Sequence, residues 1–181
     1  VSEPAGPVRY FARDRSSVAR SAGSSAPTHF PSGPYCENSG SKFQNGDTIF
    51  ARITPCLENG KTGFVQFLPD ASQVAFGSTE FIVLRSRTLT PEFVYCLARS
   101  EEFRGVAIKS MSGASGRQRV QERCFDELMI PQPPGALLDR FSAIVSPSFR
   151  LVHALHLGIE NLRRTRDLLL PRLLSGKIER G

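Results

Sequence analysis

From Ser41 onward the hydrophobic and polar positions of this chain fall into regular patterns. Gly46-Asp47 marks a turn, and Thr48 to Ile53 alternates, with Ile49, Ala51 and Ile53 on one face and Thr48, Phe50 and Arg52 on the other. That period predicts a half-buried strand. Pro55 ends it, Glu58-Asn59-Gly60-Lys61 supplies an Asn-Gly turn, and Thr62 to Leu68 returns as a second strand, so the pair reads as an irregular hairpin. A third long strand spans Val74 to Arg85. Its break at Gly77-Ser78 reads as a bulge or a tight approach of backbone to a neighbour.

Helical signals follow. Thr90 is an N-cap candidate with Pro91 at the first helical position, and Phe93, Val94 and Leu97 form one apolar face of a short helix ending near Arg99. Ser100 can cap a second helix, in which Phe103, Val106, Ala107 and Met111 recur at helical steps until Gly113. Ser112 to Val120, SGASGRQRV, reads as a flexible loop rich in donors. Leu128 to Ile130 reads as a short closing strand, and Pro131, Pro133 and Pro134 form a stiff connector.

Beyond it Phe141, Val145, Val152, Leu155, Ile159, Leu162 and Leu169 recur in a heptad-like seam. Ser148 is its weak position and Arg166 its polar one, and Pro147, with Ser146 as cap, can kink or restart the helix. One reading lays this stripe on the domain's own core, but a helix of some thirty residues reaches roughly 45 Å, beyond the width of a small domain, so part of the seam is expected to need a partner helix. The expected fold class is α/β (α+β): a mixed-sheet globular domain over 41–134, a long coiled-coil-type C-terminal helix over 135–176, an irregular segment over 1–40 and a tail over 177–181.

Composition adds a partner class. The 181 residues are 40% hydrophobic, enough for one buried core, and 23 Lys and Arg against 17 Asp and Glu leave a net charge of +6, which favours a polyanion. Cys36, Cys56, Cys96 and Cys124 include no close pair of the kind that opens a zinc site, so reduced, packed thiols in a cytoplasmic protein and no metal are expected. Charge or proline interrupts every apolar run, which argues against a membrane span. The Ser-, Gly- and Pro-rich beginning has little apolar periodicity; Tyr10, Phe11, Arg13 and Arg15 in it read as a loosely packed entry strand or an aromatic and basic contact surface.

The stretches GDTIFARITPCLENGKTGF (Gly46 to Phe64), GSTEFIVLR (Gly77 to Arg85) and RDLLLPRLLSGKIE (Arg166 to Glu179) resemble recurrent segments of the specificity (S) subunits of type I restriction-modification systems. The resemblance does not reach the first forty residues. Chains of that family usually open on a Trp-containing segment, and this one has no Trp, so it is either truncated relative to a full subunit or diverged at its beginning. Family members carry two target recognition domains and two helices. The resemblance therefore implies a half subunit that reads one half of a bipartite DNA site, docks methyltransferase (M) and in some systems restriction (R) subunits, and forms a homodimer through its helix.

Chemistry for catalysis is missing. His29, His153 and His156 have no neighbouring pattern for a metal, triad or acid/base pair, no Gly-rich loop cradles phosphate or cofactor, and no Asn-Pro-Pro-aromatic motif of an amino-methyltransferase occurs. A non-catalytic recognition protein without cofactor is expected. Arg52, Lys61, Arg117 and Arg119 offer charge for phosphates, and Asn59, Ser78, Thr79, Ser112, Ser115 and Gln118 offer hydrogen bonds, with Arg117 and Gln118 the first choices for base edges. Glu58 and Glu80 read as scaffold, since carboxylates repel phosphate. Two rival readings are a protein-binding adaptor using the helical seam and the recognition part of a fused type II-like restriction enzyme.

Overall fold

The computed structural model describes residues 40–176. The expectations for the segment before Gly40, including Cys36, His29, Tyr10, Phe11, Arg13 and Arg15, and for the tail after Gly176 lie outside the described residues. Two compact units emerge, one ending at Val145 and the other beginning at Ser146.

In the first unit, β1 (Ser41–Phe43), β2 (Thr48–Ala51), β3 (Thr62–Phe64), β4 (Ala75–Gly77) and β5 (Phe81–Leu84) precede α1 (Pro91–Arg99) and α2 (Glu101–Lys109). A 3-10 turn at Glu122–Phe125 and the start of α3 (Gly135–Leu174) complete the order. The class is α+β. Strand β2 lies at the centre of a three-stranded sheet ordered β3-β2-β5, β1 pairs with β4, and all these pairings are antiparallel.

All four residues of β2 are buried, which corrects the half-buried reading. Alternation put Ile49 and Phe50 on opposite faces, and each face has its own cover. Phe50 joins Ile82 and Leu84 of β5, Val94 and Ala98 of α1, and Phe103 and Ala107 of α2 in the larger core, with the Phe50 and Phe103 rings edge to face at 5.5 Å. Ile49 faces a second core with Phe43, Val65 and Ala75. Buried Asp47 is held beside it by Arg85, whose guanidinium reaches both carboxylate oxygens at 2.8 and 2.7 Å.

The long third strand is two strands in two sheets. Its break falls where expected, because a Cβ on Gly77 would stand 3.0 Å from the rings of both Phe43 and Phe81. The link between β2 and β3 is wider than an Asn-Gly hairpin: Leu57 plugs it into the core, while Asn59 N–H donates to the Pro55 carbonyl at 2.9 Å and Lys61 N–H to that of Cys56 at 3.0 Å. Strand β3 itself stops at Phe64, well before Leu68.

Helix α1 starts at Pro91 as expected, although the Thr90 side chain makes no capping bond. Ser100 does cap α2, accepting from Phe103 N–H at 3.2 Å. That helix ends at Lys109, short of Gly113, where Ser110 turns its hydroxyl onto the Ala107 carbonyl. Leu128–Ile130 is not a strand; Leu128 and Ile130 pack irregularly against the larger core after the 3-10 turn. Cys56 and Cys124 are half-buried, whereas Cys96 is exposed on α1 instead of packed.

Helix α3 neither restarts nor breaks at Pro147. Its first turns belong to the first unit, where Leu138 enters the larger core and Phe141 meets Phe93 edge to face at 5.4 Å. In the second unit Val152, Leu155, Ile159, Leu162 and Leu169 are all exposed, from 41% at Leu169 to 71% at Leu162. No helix among the described residues is long and apolar enough to cross a membrane, and among them no group of His, Cys, Asp or Glu gathers to hold a metal ion.

Candidate nucleic-acid interface

Three loops meet where β2 ends. Ala51 N–H donates to the Lys61 carbonyl at 3.2 Å, Arg52 N–H to that of Glu80 at 3.1 Å, and Val120 N–H to that of Arg52 at 2.8 Å. Ile53 bridges Arg119, and Thr54 takes Gln118 at both ends: its N–H donates to the Gln118 carbonyl and its hydroxyl accepts from Gln118 N–H, each at 3.1 Å. Residues 10 to 68 positions apart are thus fixed around one strand end. Of the candidate DNA contacts, this brings together Arg52, Lys61, Gln118 and Arg119.

The base of the Ser112–Val120 loop is held, not flexible. Ser112 and Arg119 exchange backbone hydrogen bonds at 3.0 and 2.9 Å, and the Ser112 hydroxyl accepts from the Gln121 amide at 2.7 Å. The chain turns back between them through Gly113 and Gly116, at φ of 125° and 77°, a region open to glycine. Ser115 and Arg117 occupy the exposed tip. On the turn before β5, Ser78 and Thr79 are exposed, and the Ser78 hydroxyl accepts from Glu80 N–H at 3.1 Å. Asn59 is exposed in a loop that Arg104 of α2 braces, donating to the carbonyls of Leu57 at 3.4 Å and Glu58 at 3.0 Å.

The four cations are not equivalent. Arg119 forms a two-pronged ion pair with Glu80, with N to O distances of 2.7, 2.9 and 3.0 Å, and Arg52 reaches Glu122 at 3.1 Å. Among the described residues the side chains of Lys61 and Arg117 make no hydrogen bond or ion pair. Hydrogen bonds from Arg119 hold the Glu80 carboxyl below its ordinary pKa, against the opposing effect of burial, and the same contact raises Arg119. Glu80 is scaffold in this sense; Glu58 contributes its carbonyl. Glu122 and Arg104 escaped the sequence reading, for neither stands in a motif that signals its distant partner.

No family model matches the chain. It is 33% identical over 94 residues to the type I restriction enzyme EcoEI specificity subunit of Escherichia coli, and 31% identical over 110 residues to the EcoAI specificity subunit of the same organism. These stretches cover 51% and 58% of this chain but only 16% and 18% of the two relatives. A chain from a solved structure concerned with complex assembly and conformational transition of the type I R-M system superposes with a TM-score of 0.45 at 25% identity, covering 83% of this chain and 37% of that one. The resemblance read from the sequence motifs is therefore real: about half of this chain is similar to a segment of type I restriction enzyme specificity subunits.

Proposed function

We propose that this chain is a DNA sequence-recognition protein of the specificity-subunit kind, non-catalytic and cytoplasmic, whose first unit reads one half of a bipartite target. The observation that carries the reading is the convergence of three loops at the end of β2, with Lys61 and Arg117 uncompensated beside a Gln118 whose backbone is fixed at both its N–H and its carbonyl. Lys61 supplies phosphate affinity, and Arg117 and Gln118 reach base edges in the major groove. Asn59, Ser78, Thr79, Ser112 and Ser115 contribute neutral donors, and Arg52 and Arg119 shape the surface through their carboxylates. Similarity to specificity subunits supports the same class.

The helix of the second unit then spaces two recognition domains and docks methyltransferase subunits, and restriction subunits where the system has them. Its exposed apolar seam closes on a second helix of the same kind, which another copy of this chain supplies. A purely protein-binding adaptor would need the seam but not the cations around β2.

Selection of this chain against a pool of random duplexes tests the reading. A short motif should be enriched, and Gln118→Ala or Arg117→Ala should relax it by about 1 to 3 kcal/mol at one base pair each. No binding to duplex DNA, together with salt-insensitive binding of a protein partner, would favour the adaptor. Light scattering tests the helix: a dimer that Ile159→Lys with Leu162→Lys dissolves is expected, and a monomer in both forms counts against pairing between copies. Inserting four residues at Arg163 should change the permitted gap between half-sites and leave the bases read unaltered.

A further inference from the structure

The ion pair at the end of β2 does more than fasten a loop. The base of that loop is already fixed by the Ser112–Arg119 exchange, the two Thr54–Gln118 bonds and the Val120–Arg52 bond. Glu80 is fixed as firmly, through its carbonyl to Arg52 N–H and its own N–H to Ser78. Both side chains stand at the surface, 29% and 46% exposed, where an ion pair contributes little to stability. Its main consequence is electrostatic. A guanidinium fork that holds a carboxylate by two prongs presents it with the geometry it would offer a phosphate, so the carboxylate occupies the position a phosphate would take.

We propose that Glu80 is a specificity-determining positioning residue, which occupies the Arg119 fork in place of a DNA phosphate and so lowers sequence-independent binding beside the base-reading Arg117 and Gln118. The inference rests on the DNA-reading function proposed above. Sequence-independent affinity comes from phosphate neutralisation, and a reader gains discrimination when that contribution is restrained while base contacts stay. Arg119 would be the wrong residue to leave open, because its backbone is locked to Ile53 and Ser112 and its reach is set by the scaffold, not by the base sequence.

The test measures binding of the full chain to a random-sequence duplex across a salt series, for the wild type, Glu80→Gln, and Glu80→Gln with Arg119→Gln. Glu80→Gln should bind this duplex more tightly at low salt and steepen the log–log salt slope by about 0.9, which adds roughly a threefold loss between 50 and 200 mM salt. The double variant should return to the wild-type slope, because an ion pair has been replaced by a neutral pair. If Glu80→Gln only weakens binding at an unchanged slope, the carboxylate is a mechanical pin and the proposal falls. A double variant shallower than wild type by about 0.9 also overturns it, since Arg119 then already contacts phosphate beside Glu80. Wild-type protein that shows no salt-dependent binding at all removes the DNA-reading function together with this inference, whereas the other failures leave that function standing.

Discussion

Strand β2 and the helix beyond Ser146 both carry apolar side chains in a regular period and put them to opposite use. Every residue of β2 is covered on both faces, while Val152, Leu155, Ile159, Leu162 and Leu169 are bare. The difference is one of available partners. Phe50 and Ile49 find Phe103, Val94, Phe43 and Val65 within the same unit, and nothing among the described residues does this for the seam. An apolar period therefore states that burial is needed, not where the covering surface comes from.

The largest expected effect tests the closed side of that contrast. Phe50→Ala removes a ring that touches both Phe103 and Phe125 and should cost about 3 to 5 kcal/mol in urea unfolding, at any protein concentration. A loss below about 1 kcal/mol would mean that β2 is not the centre of the core. Asp47→Ala comes next, at about 2 to 4 kcal/mol, because it removes the buried carboxylate that accepts from both prongs of Arg85 and from Gln44 N–H; the partial exposure of Arg85 keeps the loss from the top of that range. Leu162→Ala tests the open side. It should leave the unfolding of the dilute chain within about 0.5 kcal/mol of wild type, with any larger loss appearing only as protein concentration rises. A large concentration-independent loss would show that the seam is already covered within one chain.

What the sequence made legible was local. The Ser100 cap, the Pro91 start and the break at Gly77 depend on residues within a few positions of each other, and each stands where its pattern put it. The burial of both faces of β2 was not legible, since the residues covering Phe50 arrive from β5 and two helices and those covering Ile49 from β1, β4 and the segment after β3. The same holds at the candidate site. Arg52, Lys61, Gln118 and Arg119 could be named from side-chain chemistry, but the carboxylates that hold two of them lie 39 and 70 positions away, at spacings with no period to announce them. Seam positions were likewise readable as a heptad stripe, yet only the structure divides them, with Phe141 seated on Phe93 and the residues from Val152 onward left open.

The smallest effect concerns the rim between the closed core and solvent, where protonation can release a contact without unfolding anything. Glu80 has its carboxyl pKa lowered by the hydrogen bonds from Arg119, from an ordinary value of 4.5. A group with a depressed folded pKa contributes stability that is complete above its unfolded value and is lost as pH falls through the folded one. The Glu80–Arg119 pair should accordingly be intact at neutral pH and open only below pH 4.5. The Nε–H resonance of Arg119 reports this directly, because that group donates to both Glu80 oxygens, at 3.0 and 2.9 Å. It should titrate with a midpoint under 4.5 and stop titrating in Glu80→Gln, while unfolding in urea, governed by Phe50 and its neighbours, changes little between the two proteins. A midpoint at or above 4.5 would mean that the pair does not form in solution, and the rim would then leave Arg119 as open to solvent as Arg117.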